Sequence, residues 1–553
     1  MKHQCHGFWV AFLIISCGLV LGPCSFSEAD PIATERKLNH DLDGWSVLDF
    51  IVSSNGQWVV FRTDDYGSGL EALYSVPADG SAPPTMLYYQ AFGAALGIHE
   101  YRITADSARV IYHGDTQTDG VDELFSIRMN GVGGAVKLND NLGGWSVLDF
   151  ELSADGQWVV YRTDDWGSGL NALYSVPANR SFPPAMLYAQ TSGAALGIHE
   201  YRITGDSSRV VYRGDTQTNG VDELFSILIN GSAGAAKLNH DLGGWSVLDF
   251  EVSPNGQRVV FRTDDWGSGL NALYSVPADD SAPPTTLYYQ AFGAALGIHE
   301  YRITGDSSRV VYRGDTQTNG VDEIFSIVIN GSAGASKLNH DLGGSSVLDF
   351  EVSPNGHWVV FQADDWGSGL NALYSVPADD GAPPNMLYYQ AFGAALGIHE
   401  YRITGDSSRV VYRGDTETDG VDELFSISIT GSGGASKLNH DLGGWSVLDF
   451  EISSNGQWVV FRTDDWGSGL EALYSVPADD NGPVEMLYYQ AFGAALGIHE
   501  YEVTGDSARV VYRGDTQTDG VDELFSVDLD FIDFIFIDGF ESGNLSAWSD
   551  YKL

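Results

Sequence analysis

Cysteine is confined to Cys5, Cys17 and Cys24 of 553 residues, and basic residues number 28 against 75 acidic ones. Each shortage excludes something. A formal charge of −47 repels phosphate backbones and anionic lipid, so nucleic acid is not an expected partner, whereas cations and basic surfaces are. Helical periodicity is missing, and no segment after the amino terminus is long and apolar enough to span a bilayer as a helix. The chain also lacks a Gly-x-Ser-x-Gly nucleophile elbow and a phosphate-binding loop. It is rich in glycine, with 66 residues, and is 43% hydrophobic, the composition of a globular protein with many turns.

At the amino terminus Lys2 precedes an apolar run from Phe8 to Gly22, too short to cross a bilayer comfortably but suited to the hydrophobic region of an export signal. Ser27 and Ala29 supply small residues where a signal peptidase reads, so residues 1–29 read as a signal peptide cleaved after Ala29, and the mature chain as secreted or periplasmic. Leu21-Gly22-Pro23-Cys24 loosely imitates a lipoprotein signal, with Pro23 against it. Cleavage removes all three cysteines, which excludes disulfides, thiolate catalysis and cysteine zinc sites together.

The dominant feature is a repeat of about 100 residues. Trp45-Ser46-Val47-Leu48-Asp49-Phe50 returns at 145, 245 and 445, with Ser345 replacing the tryptophan once. Each copy is itself duplicated, because Phe50, Val59-Val60-Phe61 and Leu73-Tyr74-Ser75-Val76 reappear as Tyr101, Val110-Ile111-Tyr112 and Leu124-Phe125-Ser126-Ile127. The unit is therefore about 50 residues, present ten times. Turn signals such as Asn55-Gly56, Gly67-Ser68-Gly69 and Pro83-Pro84 divide a unit into four short strands. The second strand, Trp58-Val59-Val60-Phe61, is apolar on both faces, as a sheet covered on both sides requires. These features predict an all-β propeller of about ten four-stranded blades over residues 30–530, followed by a tail at 531–553. A Lys-Leu-Asn strand ends every second unit, as at Lys137-Leu138-Asn139, except the last. The missing copy is Lys37-Leu38-Asn39, ahead of the first unit, so an N-terminal strand is expected to complete the last blade and close one ring. An open arc and two five-bladed rings are the alternatives.

Ser253-Pro254-Asn255-Gly256, Val259-Val260-Phe261, Asp264-Asp265 and Leu273-Tyr274-Ser275-Val276 resemble the WD40-like repeat of TolB-type propellers, over roughly residues 37 to 530. The resemblance implies the fold and a secreted bacterial setting. It does not imply one function, since such propellers serve as scaffolds, gates and binding proteins. Alternate units depart from the pattern with Thr204-Gly205-Asp206-Ser207.

Asp49, Glu100, Asp149, Glu200, Asp249, Glu300, Asp349, Glu400, Asp449 and Glu500 are equivalent positions on the innermost strand and form the candidate ligand site, an acidic ring. Two residues on, Arg102, Arg202, Arg302 and Arg402 alternate with Glu151, Glu251, Glu351 and Glu451, which predicts a belt of salt bridges between blades. The belt breaks at one seam, where Glu502 replaces the arginine and Ile51 the glutamate. Two carboxylates about 8 Å apart repel by about 2 kcal/mol at an effective dielectric of 20, and four arginines cannot balance all these acids, so either some stay protonated or cations or solvent compensate.

The loops between second and third strands carry Trp166, Trp266, Trp366 and Trp466 beside paired aspartates. Such a face suits glycans or cationic groups, or else consists of hairpin caps. Asp115, Asp119 and Glu123 partly match an aspartate-rich calcium loop, although Gln117 stands where an acid belongs. Arg213-Gly214-Asp215 looks like an adhesion tripeptide, but equivalent aspartates in other units point to a structural role. His99 and its copies read as core or pairing histidines. The sequence thus favours a non-catalytic module that binds a protein, glycan or cationic ligand. A hydrolase or lyase using channel carboxylates and an adhesive surface protein are the rivals.

Overall fold

The computed structural model describes residues 35–65, 70–90, 97–164, 171–190, 197–264, 271–290, 297–365, 370–390, 397–418, 420–465, 470–489, 497–518 and 520–529. Each unit forms one antiparallel four-stranded sheet, and there are ten such sheets. Blade 1 is built from Val47–Val52, Trp58–Asp65, Leu70–Pro77 and Thr85–Tyr89, and blade 2 from Ile98–Ile103, Arg109–Thr118, Val121–Arg128 and Val136–Lys137. The pattern then alternates to blade 10. No helix among the described residues is long and apolar enough to cross a membrane.

Two-sided burial of the second strand explains the stacking. Val59 and Phe61 enter one apolar cluster, with Leu38, Val511 and Leu524, while Val60 points the other way into a cluster with Ile98, Val110 and Phe125. Each blade is glued on both faces, and burial of each such side chain contributes roughly 1.5–3 kcal/mol. Ten clusters occupy the ten interfaces between consecutive blades, including the one joining blade 10 to blade 1.

That last interface decides between one ring and its alternatives. Arg36–Lys37 pairs with Val521–Asp528 as the fourth strand of blade 10, in the register Arg36↔Ser526 and Lys37↔Phe525. Leu38 then donates its amide to the Leu524 carbonyl at 2.7 Å, and the Asn39 side chain accepts the Leu524 amide at 2.8 Å. Blade 5 continues into blade 6 rather than returning to blade 1. The chain is one closed ten-bladed β-propeller.

Turns at one end of the blades lock neighbours together. Gly56 has φ +70° and lies so close to Asp506 of blade 10 that a Cβ would overlap it, and Gly156 stands in the same relation to Asp106. Glycine is demanded there both by the left-handed backbone and by the contact. The seam between the chain ends therefore repeats the packing found between interior blades.

Candidate functional site

A β-bulge between Val47 and Asp49 shifts the register of blade 1, so that Asp49 stands opposite Arg62 rather than one residue away. The same irregularity recurs between Ile98 and Glu100 and in every later blade. It re-aims the carboxylate toward a cross-strand cation. Neighbouring first strands touch one another, which places these residues around the central channel.

In blade 1 the Arg62 Nη2 donates to Asp49 Oδ2 at 2.5 Å, and Tyr101 of blade 2 donates its hydroxyl to Oδ1 at 2.6 Å. Arg162 and Tyr201 hold Asp149 in the same way, as do Arg262 and Tyr301 for Asp249, and Arg462 and Tyr501 for Asp449. Burial works against the Arg62 cation, but the hydrogen bond and charge of Asp49 outweigh it and raise its pKa. Burial, then Asp49, pushes the Tyr101 hydroxyl well above its ordinary range. Blade 7 is the exception. Gln362 replaces the arginine and reaches only the Ile398 carbonyl at 3.3 Å, leaving Asp349 with Tyr401 at 2.7 Å.

The even blades pair internally. Arg102 sits 2.5 Å from Glu100, Arg202 3.0 Å from Glu200, Arg302 2.7 Å from Glu300 and Arg402 2.8 Å from Glu400. Arg202 also reaches Glu151 at 3.2 Å across the blade interface. The belt expected between blades is only partly formed among the described residues, with Arg202–Glu151 at 3.2 Å and Arg302–Glu251 at 3.7 Å, because each arginine turns first to the glutamate of its own strand; at the seam Glu500 has Arg513 at 3.5 Å and Glu502 stands in the arginine's place.

Each interfacial glutamate also accepts an amide from the following blade. Ile203 donates to Glu151 at 3.1 Å, Ile303 to Glu251 at 3.1 Å, Ile403 to Glu351 at 3.0 Å, Val503 to Glu451 at 2.9 Å and Val52 to Glu502 at 3.2 Å. Burial raises the pKa of all five. In two of them it reaches about 7. Glu351 lies beside the arginine-less Asp349, and Glu502 is repelled by Glu451 and Glu500. The channel thus carries two acidic defects, in blade 7 and at the seam of blades 9, 10 and 1.

Trp166, Trp266, Trp366 and Trp466 lie outside the described residues, as do the signal segment and the tail. The metal-type grouping around Asp115 contains His99 and Asp122, and neither Asp119, which is exposed in a turn, nor Glu123. Glu123 is buried and ion-paired with Lys137. Arg213 binds Asp222 at 2.6 Å, and Asp215 is buried and accepts the Gly197 amide at 2.7 Å, so that tripeptide is structural. His199, His299, His399 and His499 pair with Asp222, Asp322, Asp422 and Asp522 at 3.0–3.2 Å.

Sequence reasoning missed the tyrosine hydroxyls and the grooves on the opposite face. The first had a signal, since Tyr101 and its copies alternate with Phe50 and its copies, a change that adds only a hydroxyl. The grooves lie between the one–two and three–four turns. Cavities of about 450 Å³ are lined by Trp358, Pro377 and Asp379 in blade 7 and by Trp158, Pro177 and Phe182 in blade 3. Phe182 is 70% exposed and replaces the alanine or glycine of the other copies.

No protein-family model matches the chain, and no curated protein matches it. Solved structures that align with it include dipeptidyl peptidase 4 of Porphyromonas gingivalis, at 10% identity, 76% of this chain, 65% of that one and a TM-score of 0.46. Others are a eukaryotic initiation factor, at 12% identity, 73% of this chain, 91% of that one and TM-score 0.44, and the oligogalacturonate lyase of Vibrio parahaemolyticus, at 12%, 78%, 96% and 0.36. Likeness at this level transfers no activity, and the fold rests on the sheet topology itself.

Proposed function

We propose that the chain is an exported, non-catalytic ring that binds a ligand through a cationic group taken into the channel. The observation that supports this is the uniformity of the channel carboxylates. Four of five odd-blade aspartates are fixed by the same arginine and tyrosine, which commits their charge to structure, and the two defects are where the pattern loses an arginine that the other blades have. Catalysis by paired carboxylates needs two groups of distinct environment. Glu351 beside Asp349 meets this condition, as does Glu502 beside Glu500, and these keep a hydrolase or lyase reading as the alternative.

Titration calorimetry with tetralysine peptide tests the proposal. Saturable binding is expected at pH 8, about tenfold weaker in Glu502→Arg, which restores the seam to the pattern of the other even blades, and similarly weaker in Gln362→Arg. Asp119→Arg, which changes the charge on an exposed turn by as much as Glu502→Arg and by more than Gln362→Arg, should leave affinity within twofold. Binding should also weaken as pH falls through 7, where Glu351 and Glu502 take up protons. Unsaturable binding, or equal losses in all three variants, would mean that only net charge attracts the peptide. Turnover of an oligosaccharide abolished by Glu351→Gln would support the enzymatic alternative.

A further inference from the structure

The second strand of blade 2 differs from those of the other even blades by Ile111 for valine and by one change of charged group. Blades 4, 6, 8 and 10 carry Arg213, Arg313, Arg413 and Arg513, and blade 2 carries His113. In those four blades the guanidinium lies 2.5–2.8 Å from the carboxylate of Asp222, Asp322, Asp422 or Asp522 and neutralises it. Asp122 has no such partner among the described residues. It faces His99 Nδ1 at 3.3 Å.

Donor atoms of His99, Asp115 and Asp122 all lie within 4.8 Å of one another. Asp115 is buried at 4% exposure, whereas His99 is open to solvent, so the grouping has a fixed floor and an accessible mouth. Next to it, the His113 ring sits edge-on to His99, with centroids 5.9 Å apart. Its Nε2 is 2.8 Å from the Val147 carbonyl, which can only accept, so the proton is on Nε2. The neutral ring therefore keeps a lone pair on Nδ1. That atom is buried and has no hydrogen-bond partner among the described residues. A histidine whose outer nitrogen donates to a backbone carbonyl while the inner one is bare has the tautomer a metal ligand needs.

We propose that blade 2 binds one divalent transition-metal ion through His99, Asp115 and Asp122, with the His113 ring, which abuts His99, standing where the sister blades carry the competing arginine. Nitrogen and carboxylate oxygen together select a borderline ion such as Zn²⁺ or Co²⁺ over Ca²⁺ or Mg²⁺. Such an ion holds its ligands at about 2.0–2.2 Å, so donors span no more than ~4.4 Å, and rotation of the exposed His99 closes the remaining gap. The ion supplies the positive charge that arginine supplies in the sister blades. Glu71 of blade 1 adds to the negative potential at His99, and it replaces the asparagine found at 171, 271 and 371. Blade 10 contains the corresponding group, His499, Asp515 and Asp522, but there Arg513 occupies Asp522 at 2.5 Å and takes the ion's place.

The repeat supplies its own controls. The full chain, freed of metal by chelator, is titrated with Zn²⁺ by calorimetry and with Co²⁺ by visible absorption. Wild type should bind one equivalent more than His113→Arg, and the visible band of histidine-ligated Co²⁺ should fall with it. That variant carries at 113 the residue of the four sister blades, and a melting curve matching wild type confirms its integrity. Arg513→His should gain one equivalent. Equal stoichiometry in wild type and His113→Arg, or no Zn²⁺ binding at all, overturns the proposal. Tetralysine binding at the channel defects should be unchanged in His113→Arg, so the two readings fail independently.

Discussion

Leu38→Asp should lower the stability of the ring by at least ~4 kcal/mol and convert it to an open form, seen as a lower urea midpoint and a larger radius of gyration by small-angle scattering. Leu38 is 1% exposed, within an apolar cluster that joins Phe50 and Phe61 of blade 1 to Val511 and Leu524 of blade 10. A carboxylate placed there has no cation and must be buried charged or protonated, either of which costs several kcal/mol. The neighbouring bonds share the load. Lys37 is ion-paired with Glu523, whose side chain is only 5% exposed, so Lys37→Met strands a buried carboxylate, at a cost of about 3–5 kcal/mol. Leu138 is equally buried in the equivalent strand of blade 2 and serves as the comparison. Aspartate at 138 detaches a strand whose blade is still joined to the next by the chain, so the ring stays closed and the radius changes little. At 38 the same lost strand also releases the two chain ends and exposes the apolar faces on both sides of the break. Equal radii for the two variants would show that closure does not depend on the N-terminal strand.

Most of this architecture is legible in the sequence because the chain is its own alignment. Ten copies reveal which positions must be apolar, and the Lys-Leu-Asn strand missing from one end and present at the other gives ring closure directly. Glu502 and Ile51 stand out as breaks in an alternation. Gln362 breaks a pattern too, but its meaning depends on the bulge that brings residue 362 opposite Asp349, and a bulge leaves no mark on strand periodicity. The amides that reach Glu351 and Glu502 were likewise hidden, since they come from the stagger between adjacent blades. His113 is a single substitution among five near-identical copies. Its weight became visible only when the arginine it replaces was seen to neutralise an aspartate. The Asp115-Asp119-Glu123 reading followed spacing along one strand, whereas the grouping that formed draws His99 and Asp122 from the two flanking strands.

Glu351→Gln and Glu502→Gln together should stabilise the protein by roughly 2–4 kcal/mol at pH 8 and by progressively less toward pH 5. Burial raises both carboxyls from 4.5 to about 7, with Asp349 adding to the first and Glu451 and Glu500 to the second. An elevated carboxyl pKa means that the fold favours the neutral form. Below 4.5 both folded and unfolded chains are protonated and the groups contribute nothing. Between 4.5 and about 7 the unfolded chain ionises first, so stability falls as pH rises. Above about 7 the penalty is complete and constant. Screening by channel water reduces it to about 1–2 kcal/mol per group. Glutamine keeps an oxygen to accept the Ile403 or Val52 amide and carries no charge, so it removes the penalty without orphaning the donor. The double variant minus wild type, read from urea midpoints between pH 5 and 8.5, should therefore rise to pH 7 and then level off. The same comparison cancels the background repulsion of a chain carrying −47. Asp149→Asn supplies the opposite sign, since it leaves Arg162 without a carboxylate partner among the described residues and should destabilise across this range. A flat difference curve for the double variant would mean that Glu351 and Glu502 are solvated or cation-paired at neutral pH, and the two channel defects would then hold no excess charge for a ligand to meet.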